Sequence, residues 1–204
     1  NAIYRHTVFD KEWPVIPQDG RIVVRVGSHA NFSDEQTKAI DAFCATCDAV
    51  VCCDHTSGYR GKYEVHGQLV FGQQKWHSSL RNANLCIHIG EVSGDQFTVN
   101  AKHTWRVSPD GVLRDTFGNL RRVFMMPEID FFNHYAKGNT NYTDYLDALN
   151  KEIEDVKNEI PNLPFSNIWM AQQMHEKLPI VCEIHFGIYH SLRSWNFFKL
   201  PIGI

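Results

Sequence analysis

The segment that decides the fold is Arg21-Ile-Val-Val-Arg-Val-Gly27, a run of β-branched residues that ends in glycine. A short apolar run of this kind predicts a strand that is buried on both faces. Outward from it, Ser33-Asp-Glu-Gln36 has the form of a capping box, which predicts that a helix begins there. A second apolar run, Ala49-Val-Val-Cys-Cys53, follows. Together these segments predict a strand–helix–strand unit, the repeating element of a parallel sheet.

Three further apolar runs and two helical patterns extend this unit. Because strands alternate with helices, the chain is predicted to form an α/β domain of the Rossmann-like, doubly wound type, with right-handed crossovers and a mainly parallel sheet of about five or six strands. This domain is predicted to cover residues 21–136. The further strands are predicted over 85–89, 103–107 and 122–126, and the helices over 69–80 and from Pro127 to about Tyr135.

The segments on either side of the domain differ from it. Residues 1–20 are predicted to be an extended lead-in, because Trp13-Pro14 and Ile16-Pro17 disfavour helices and central strands. Residues 137–165 are predicted to be a linker that carries a helix over 143–160. The apolar residues of this helix are spaced by three and four, so they either pack on the chain's own core, which is favoured, or form a coiled-coil seam. These residues are Leu146, Leu149, Ile153, Val156 and Ile160.

Residues 166–204 are predicted to open a second α/β domain. Ser166 is the predicted N-cap of a helix that reaches Leu178, and the apolar run over 180–186 predicts a strand. A loop follows that strand. This arrangement predicts the first helix–strand unit of a domain that begins here.

The composition excludes several classes of protein. A chain of 204 residues with 43% hydrophobic and 21% charged residues predicts a folded domain rather than disorder. It has 20 basic and 23 acidic residues and no basic run longer than Arg121-Arg122, so neither a nucleic-acid nor a membrane partner is predicted. No apolar stretch approaches the roughly 18–20 residues that cross a bilayer, and no signal-peptide pattern opens the chain. Because Asn1 is the first residue, we expect a processed chain or a piece of a longer protein.

The cysteines have two interpretations. Cys44-x-x-Cys47 followed by Cys52-Cys53 is similar to a zinc motif. However, adjacent residues of a strand point to opposite faces, so Cys52 and Cys53 are poorly placed to share one tetrahedral ion. Buried reduced thiols are therefore favoured, which is typical of a cytoplasmic protein, and no metal site is predicted.

Three polar loops follow predicted strands, at residues 27–30, 54–61 and 90–95. In open α/β sheets, ligands bind beyond the carboxyl ends of the strands. Arg60 is suited to hold an anion against backbone N–H groups, although an ordinary loop with a solvated arginine is the alternative. No Gly-x-Gly-x-x-Gly, Walker or Gly-x-Ser-x-Gly motif occurs in the sequence. The candidate ligand-binding residues of these loops are Ser57, Arg60, Gly61, Gly90 and Ser93.

The loop after the last predicted strand has the strongest pattern of a binding site. Tyr189, His190, Ser191 and Arg193 cluster there, and a guanidinium suits bidentate recognition of phosphate or carboxylate. A structural arginine is the alternative. These four residues are candidate cofactor- or substrate-binding residues.

The order of these segments resembles that of thiamine-diphosphate-dependent enzymes. Within them, the chain is most similar to the menaquinone-pathway synthase that makes 2-succinyl-5-enolpyruvyl-6-hydroxy-3-cyclohexene-1-carboxylate, and more distantly to acetolactate synthase. The resemblance covers nearly all of residues 21–204, and the shared order is a stronger signal than any one motif. Residues 21–27, 50–54, 83–90 and 105–115 carry the likeness to the central domain, and residues 178–193 carry the likeness to the start of the diphosphate-binding domain.

The resemblance implies a function for a longer parent protein. Its cofactors would be thiamine diphosphate and Mg²⁺, held between a pyrimidine domain and the diphosphate-binding domain, usually across a dimer. Its reaction would be decarboxylation of a 2-oxo acid and addition of the carbanion to an acceptor. The chain lacks the pyrimidine domain with its activating glutamate and the Gly-Asp-Gly segment that holds Mg²⁺. The chain alone is therefore expected to be inactive and to bind no cofactor, and its partners are expected to be the remaining domains of the parent, in a homo-oligomer.

The resemblance also assigns individual residues. Arg193 takes the place of the arginine with which the menaquinone-pathway synthase binds its acidic substrate, and Tyr189 stands where that family has a serine. The family's substrate-contacting lysine falls near Asp95 or Gln96, so this chain lacks it.

Two other functions are compatible with the sequence. One is a non-catalytic module that binds FAD or NAD at the strand ends marked by Gly27, Asp54 and Gly90. The other is an interaction protein that dimerises through the helix over 143–160.

Overall fold

The computed structural model describes residues 2–17, 19–72, 74–94, 99–138, 140–187 and 189–201. The strands are β1 (Tyr4–Thr7), β2 (Ile22–Val26), β3 (Ala49–Cys52), β4 (Glu64–Val65), β5 (Asn82–Ile89), β6 (Asn100–Val107) and β7 (Leu120–Met125). The helices are α1 (Asp34–Cys47), α2 (Gln68–Phe71), α3 (Glu128–Tyr135), α4 (Asp144–Asn158), α5 (Asn167–Met174) and α6 (His190–Trp195), with 3₁₀ turns at Ser79–Arg81 and His175–Lys177.

The described strands form one seven-stranded sheet in the order β1-β7-β6-β5-β2-β3-β4. Each neighbouring pair in this sheet is parallel. Counted from β2 onward, six of the strands follow the order 3-2-1-4-5-6 of dinucleotide-binding Rossmann folds. The prediction of a Rossmann-like α/β fold with a parallel sheet is therefore confirmed.

The reversal of strand order at β2 decides where the helices lie. Because crossovers between parallel strands are right-handed, the β2–α1–β3 connection and the connection from β4 to β5 cover opposite faces of the sheet. The predicted capping box is present, since the Ser33 hydroxyl accepts from the Gln36 amide and the Gln36 side chain accepts from the Ser33 amide. On the α1 side, Phe131 of α3 is fully buried, with its ring centroid 4.8 Å from that of Phe124 and 6.3 Å from that of Phe43.

The helix predicted over 69–80 is wrong in length. Only Gln68–Phe71 is helical before Gly72. The segment around Trp76 and Ser78 is held by α4 instead. Trp76 Nε1 and Ser78 Oγ donate to the two carboxylate oxygens of Glu152 in that helix, at 2.7 and 2.6 Å. A side-chain contact distant in sequence therefore replaces helical hydrogen bonds here.

The strand predicted over 180–186 is also wrong. All of these residues are described, and none of them belongs to a strand. A parallel strand needs a neighbour for its hydrogen bonds, and the described part of the chain offers none there, so Val181 remains 87% exposed. The helix predicted before it does form, as α5. The loop predicted after it contains α6, whose Leu192 and Ser194 are buried.

One other segment is more ordered than predicted. The extended lead-in contributes β1, which pairs with β7 at the sheet edge. His6 fastens it, because its Nε2 accepts from Arg122 at 2.9 Å and its Nδ1 donates to Asp10 at 3.2 Å.

The apolar stripe of α4 packs on the chain's own core, which is the alternative that the sequence favoured. Leu146, Leu149 and Val156 are buried, and Ile153 and Ile160 are partly buried against the core. These side chains are therefore packed against the chain's own core and do not form a coiled-coil seam.

The cysteines are free thiols, and four of them are buried: Cys44, Cys52, Cys53 and Cys86. Burial raises the pKa of Cys47 and Cys86 to about 11, which keeps these groups protonated at neutral pH. Among the helices of the described residues, none combines the length and apolar character needed to cross a membrane.

Candidate functional site

The crevice between β2 and β5 is where a Rossmann fold binds its ligand, because the strand order reverses there. In this chain the two strands continue to pair beyond their ends. The Gly27 amide donates to the Ile89 carbonyl at 3.0 Å, and Ser28 and Glu91 exchange backbone hydrogen bonds at 3.0 and 2.8 Å. A Cβ atom at Gly27 would collide with the Glu91 carbonyl oxygen. The ends of β2 and β5 are therefore joined by the chain's own backbone at the switch point, the place where Rossmann folds bind a dinucleotide.

Asp54 ties together two loops at this edge of the sheet. It is only 3% exposed, and its Oδ1 accepts from the Thr56 amide at 2.7 Å and the Thr56 hydroxyl at 2.6 Å. Its Oδ2 accepts from the Ser93 hydroxyl. Ser57 completes the arrangement, because its hydroxyl donates to the Val26 carbonyl and accepts from the Asp54 amide, both at 2.8 Å.

Arg106 supports the turn at Gly90 from inside the protein. It is 1% exposed, and its Nη1 donates to the Gly90 carbonyl at 3.1 Å. Its Nη2 lies 3.8 Å from a Glu91 oxygen and 3.7 Å from an Asp110 oxygen. Gly90 itself has φ +74°, a conformation that favours glycine.

Arg193 reaches this same edge from the C-terminal segment. Its Nε donates to the Gly94 carbonyl at 3.3 Å, and its guanidinium lies 5.3 Å from the centre of the Tyr189 ring. Tyr189 has φ +73°, which is strained for a bulky residue and costs about 1–3 kcal/mol. The structure therefore brings Arg193 beside Gly94, with its guanidinium near the Tyr189 ring.

His55 makes the second contact between the loops and the C-terminal segment. Its Nε2 donates to the Trp195 carbonyl at 3.0 Å, and its amide donates to the Asn196 side-chain oxygen at 3.4 Å. Its ring stacks on Phe186, with centroids 5.6 Å apart. Burial, with the neighbouring His66 charge second, lowers the pKa of His55 to about 4, so the ring is neutral at physiological pH.

The other candidate residues lie as follows. His190 is exposed and Ser191 is half-buried at the start of α6. The Ser57 hydroxyl donates to the Val26 carbonyl, and the Gly90 carbonyl accepts from Arg106. Both groups are therefore used within the fold. Gly61 packs against Tyr59 and Asp41. Asp95 and Gln96, where the resemblance puts the family's lysine, lie outside the described residues.

Arg60 lies at a different place on the edge, beside a cavity of about 200 Å³. Its Nη1 lies 3.4 Å from a Glu64 oxygen, and the same oxygen accepts from His66 Nε2 at 2.9 Å. Sequence reasoning missed Glu64, His66 and Lys199, which also line this cavity. One signal was present: Glu64 and His66 are two residues apart in an extended segment and so share a face.

The described residues contain no group of three or more His, Cys, Asp or Glu side chains arranged to hold a metal ion. The guanidinium groups of Arg106 and Arg193 at the carboxyl edge donate to carbonyl oxygens of the chain itself.

His29 joins the loop after β2 to the start of α3. Its Nδ1 lies 2.6 Å from the Ala30 carbonyl and its Nε2 lies 3.3 Å from a Glu128 oxygen. Both ring nitrogens therefore face acceptors, which suits the imidazolium. The hydrogen bond to Glu128 raises the pKa of His29 above its usual 6.5 against the opposing effect of burial.

We expect this pair to stabilise the fold in a pH-dependent way. Because the folded-state pKa is raised, the contribution is fully present below pH about 6.5 and is lost as pH rises through the folded-state value. Its size is at most about 1 kcal/mol, since the pair is partly exposed to solvent. Urea unfolding of wild type and His29→Gln between pH 5.5 and 8.5 measures it. The two free energies of unfolding should converge as pH rises, and a constant difference would contradict the assignment.

No family model matches this chain, and no curated protein matches it.

Proposed function

We propose that this chain is part of a thiamine-diphosphate-dependent enzyme: its central Rossmann-like domain and the start of its diphosphate-binding domain. The parent enzyme decarboxylates a 2-oxo acid and adds the carbanion to an acceptor, as the menaquinone-pathway synthase or acetolactate synthase does. Thiamine diphosphate and Mg²⁺ bind to other parts of the parent, which is a homo-oligomer. Six free cysteines support a reducing compartment, the cytoplasm.

One observation carries this proposal: a Rossmann strand order in which the chain's own backbone bridges the switch point. The Ser28–Glu91 backbone pairing occupies the switch point between β2 and β5. A domain of this topology that binds no dinucleotide serves as a scaffold. This favours the role of a spacer domain over the alternative of an FAD- or NAD-binding module.

The contact between the two predicted parts of the chain supports the same proposal. Arg193 and Trp195 of the C-terminal segment bond to Gly94 and His55 at the carboxyl edge of the sheet. Arg193 is thereby oriented by the central domain, in the position where the resemblance puts a substrate-binding arginine. Its guanidinium would bind the carboxylate of an acidic substrate.

The test is carried out on the native protein that contains this chain. We expect CO₂ release from pyruvate or 2-oxoglutarate that depends on both thiamine diphosphate and Mg²⁺. Arg193→Ala should raise KM for the preferred acidic substrate at least about tenfold, because an ion-paired contact of about 1.4 kcal/mol or more is removed. The KM of Arg193→Lys should lie between that of the wild type and that of Arg193→Ala.

Lys157→Ala, at an exposed position of α4, is the matched control and should leave KM unchanged. Absence of cofactor-dependent CO₂ release from the native protein would overturn the proposal. Micromolar binding of FAD or NAD by the chain would favour the nucleotide-binding alternative instead.

A further inference from the structure

Strand β1 is one edge of the sheet, and its outer side has no strand partner among the described residues. Its register with β7 runs from Tyr4 to Thr7 without a bulge. Proteins usually keep an edge from pairing with another chain by making the strand very short or by placing charges, prolines or bulges in it. The opposite edge, β4, has only two residues, one of which is Glu64. By contrast, β1 is longer and carries a single permanent charge, on Arg5.

Apolar side chains lie at both ends of β1 and are exposed to solvent. Ile3 and Tyr4 lie at its amino end, and Val8 and Phe9 lie in the turn at its carboxyl end. Phe9 is 91% exposed. Exposed apolar side chains that lie together beside an open strand edge are typical of a surface that another protein covers.

The segment Ile3-Tyr-Arg-His-Thr-Val-Phe9 has a symmetric pattern about His6, with two apolar residues, three polar residues and two apolar residues. When two copies pair in antiparallel orientation about His6, Ile3 of one copy lies against Phe9 of the other, and Tyr4 lies against Val8. Both are pairs of an aromatic and a β-branched residue, which stabilise antiparallel pairing. Because Val8 and Phe9 lie in a turn, these two pairs extend the strand pairing through side-chain contacts. The segment is therefore complementary to itself.

The charges select the same register. Pairing centred on Arg5 would place two guanidinium groups directly opposite each other, which is destabilising. Pairing centred on His6 places Arg5 opposite Thr7 instead. The two His6 rings then meet at the two-fold axis without repulsion, because burial, with the charge of Arg122 second, lowers the pKa of His6 and keeps the ring neutral at neutral pH.

We propose that two copies of this chain associate by antiparallel pairing of their β1 strands about a two-fold axis at His6. The interface is isologous, since the same residues contribute from both copies. It joins two seven-stranded sheets into one continuous sheet and covers the apolar residues at both ends of β1. The proposal concerns the assembly of the chain and does not rest on the proposed thiamine-dependent reaction.

Sedimentation equilibrium of the 204-residue chain tests the proposal without any assay of activity. Because the paired segment is short, the interface is smaller than the roughly 800 Å² per partner of stable complexes, and we expect a Kd of about 10–100 μM. The average mass should rise with concentration from 23.5 kDa toward twice that value. A mass that stays at 23.5 kDa up to about 500 μM would overturn the proposal.

A reciprocal charge exchange tests the antiparallel register. Phe9→Lys and Ile3→Glu should each raise the Kd of the dimer about tenfold or more, since each places a charge against an apolar side chain of the other copy. The double variant Ile3→Glu/Phe9→Lys places opposite charges against each other on both sides of the axis. It should therefore recover most of the lost affinity, which an unspecific apolar association does not do.

Val181→Lys is the matched control. Val181 is 87% exposed, nearly as much as Phe9, but it precedes Cys182, which lines a cavity with Glu64 at the opposite edge of the sheet. This variant should dimerise as the wild type does, and circular dichroism verifies that each variant is folded. Wild-type dimerisation of Phe9→Lys, loss of the dimer in Val181→Lys, or no recovery in the double variant would each contradict the proposed interface.

Discussion

Replacing Asp54 with alanine is expected to lower the free energy of unfolding by about 3–5 kcal/mol. The carboxylate is nearly fully buried and accepts hydrogen bonds from Thr56 and Ser93, with the Ser57 hydroxyl 3.4 Å away. A hydrogen bond to a charged group contributes about 1.5–3 kcal/mol, and buried donors left without an acceptor are costly. The loss therefore exceeds that of an ordinary surface substitution.

Urea unfolding followed by circular dichroism measures this change, provided that the slope against urea stays constant. Asp54→Asn keeps one acceptor oxygen and should cost less than alanine. Asp155→Ala, on the exposed side of α4, should change stability by less than about 0.5 kcal/mol. If Asp54→Ala behaved like Asp155→Ala, Asp54 would not organise the loops at the carboxyl edge.

Acid is expected to destabilise the fold through His88. This residue is 2% exposed near the C-terminal end of β5, between Arg25 on β2 and Arg106 on β6. Burial, followed by the charges of Arg106, Arg25 and Arg114, lowers the pKa of His88 to about 4. Its neutral ring meets the edge of Phe117 at 5.2 Å between centroids.

The direction of this pH dependence of stability follows from proton binding. Between pH 6.5 and pH 4 the unfolded chain binds a proton at His88 and the folded chain does not, so stability falls as pH falls. At about 1.4 kcal/mol for each pKa unit, this residue accounts for about 3 kcal/mol between pH 7 and pH 4. His55 acts in the same direction.

The His88→Leu variant removes this titration and should flatten the acid side of the stability profile by about 3 kcal/mol. Urea midpoints at pH values from 4 to 7.5 provide the measurement. His103→Gln, at an exposed position of β6, should keep the wild-type profile. Parallel profiles for wild type and His88→Leu would show that His88 is not the group responsible.

The carboxyl-edge site was only partly predictable from the sequence. The polar residues after strands were identified correctly as lying at one edge, because carboxyl ends of parallel strands meet there. The sequence could not reveal that the Ser57 hydroxyl donates to the Val26 carbonyl, or that Ser28 and Glu91 pair across the switch point. Both contacts depend on the precise spacing of neighbouring loops.

The wrong elements share one physical cause. Residues 180–186 have the composition of a strand, but strand propensity has no effect without a neighbouring strand to receive the hydrogen bonds. Residues 72–78 follow a helical start, but Glu152, far along the chain, holds Trp76 and Ser78 in another conformation. In both cases a tertiary partner, present or missing, overrides local preference.

The sequence by itself determined the α/β class, the capped helix α1 and the buried stripe of α4, because apolar periodicity and capping act over a few neighbouring residues. Only the tertiary structure decided that Ser28 pairs with Glu91 at the switch point, that Arg193 meets Gly94, and that Arg60, His66 and Lys199 line one cavity. Those outcomes depend on contacts between residues separated by tens of positions or more. Such contacts form only when the whole sheet has set the distances between its loops.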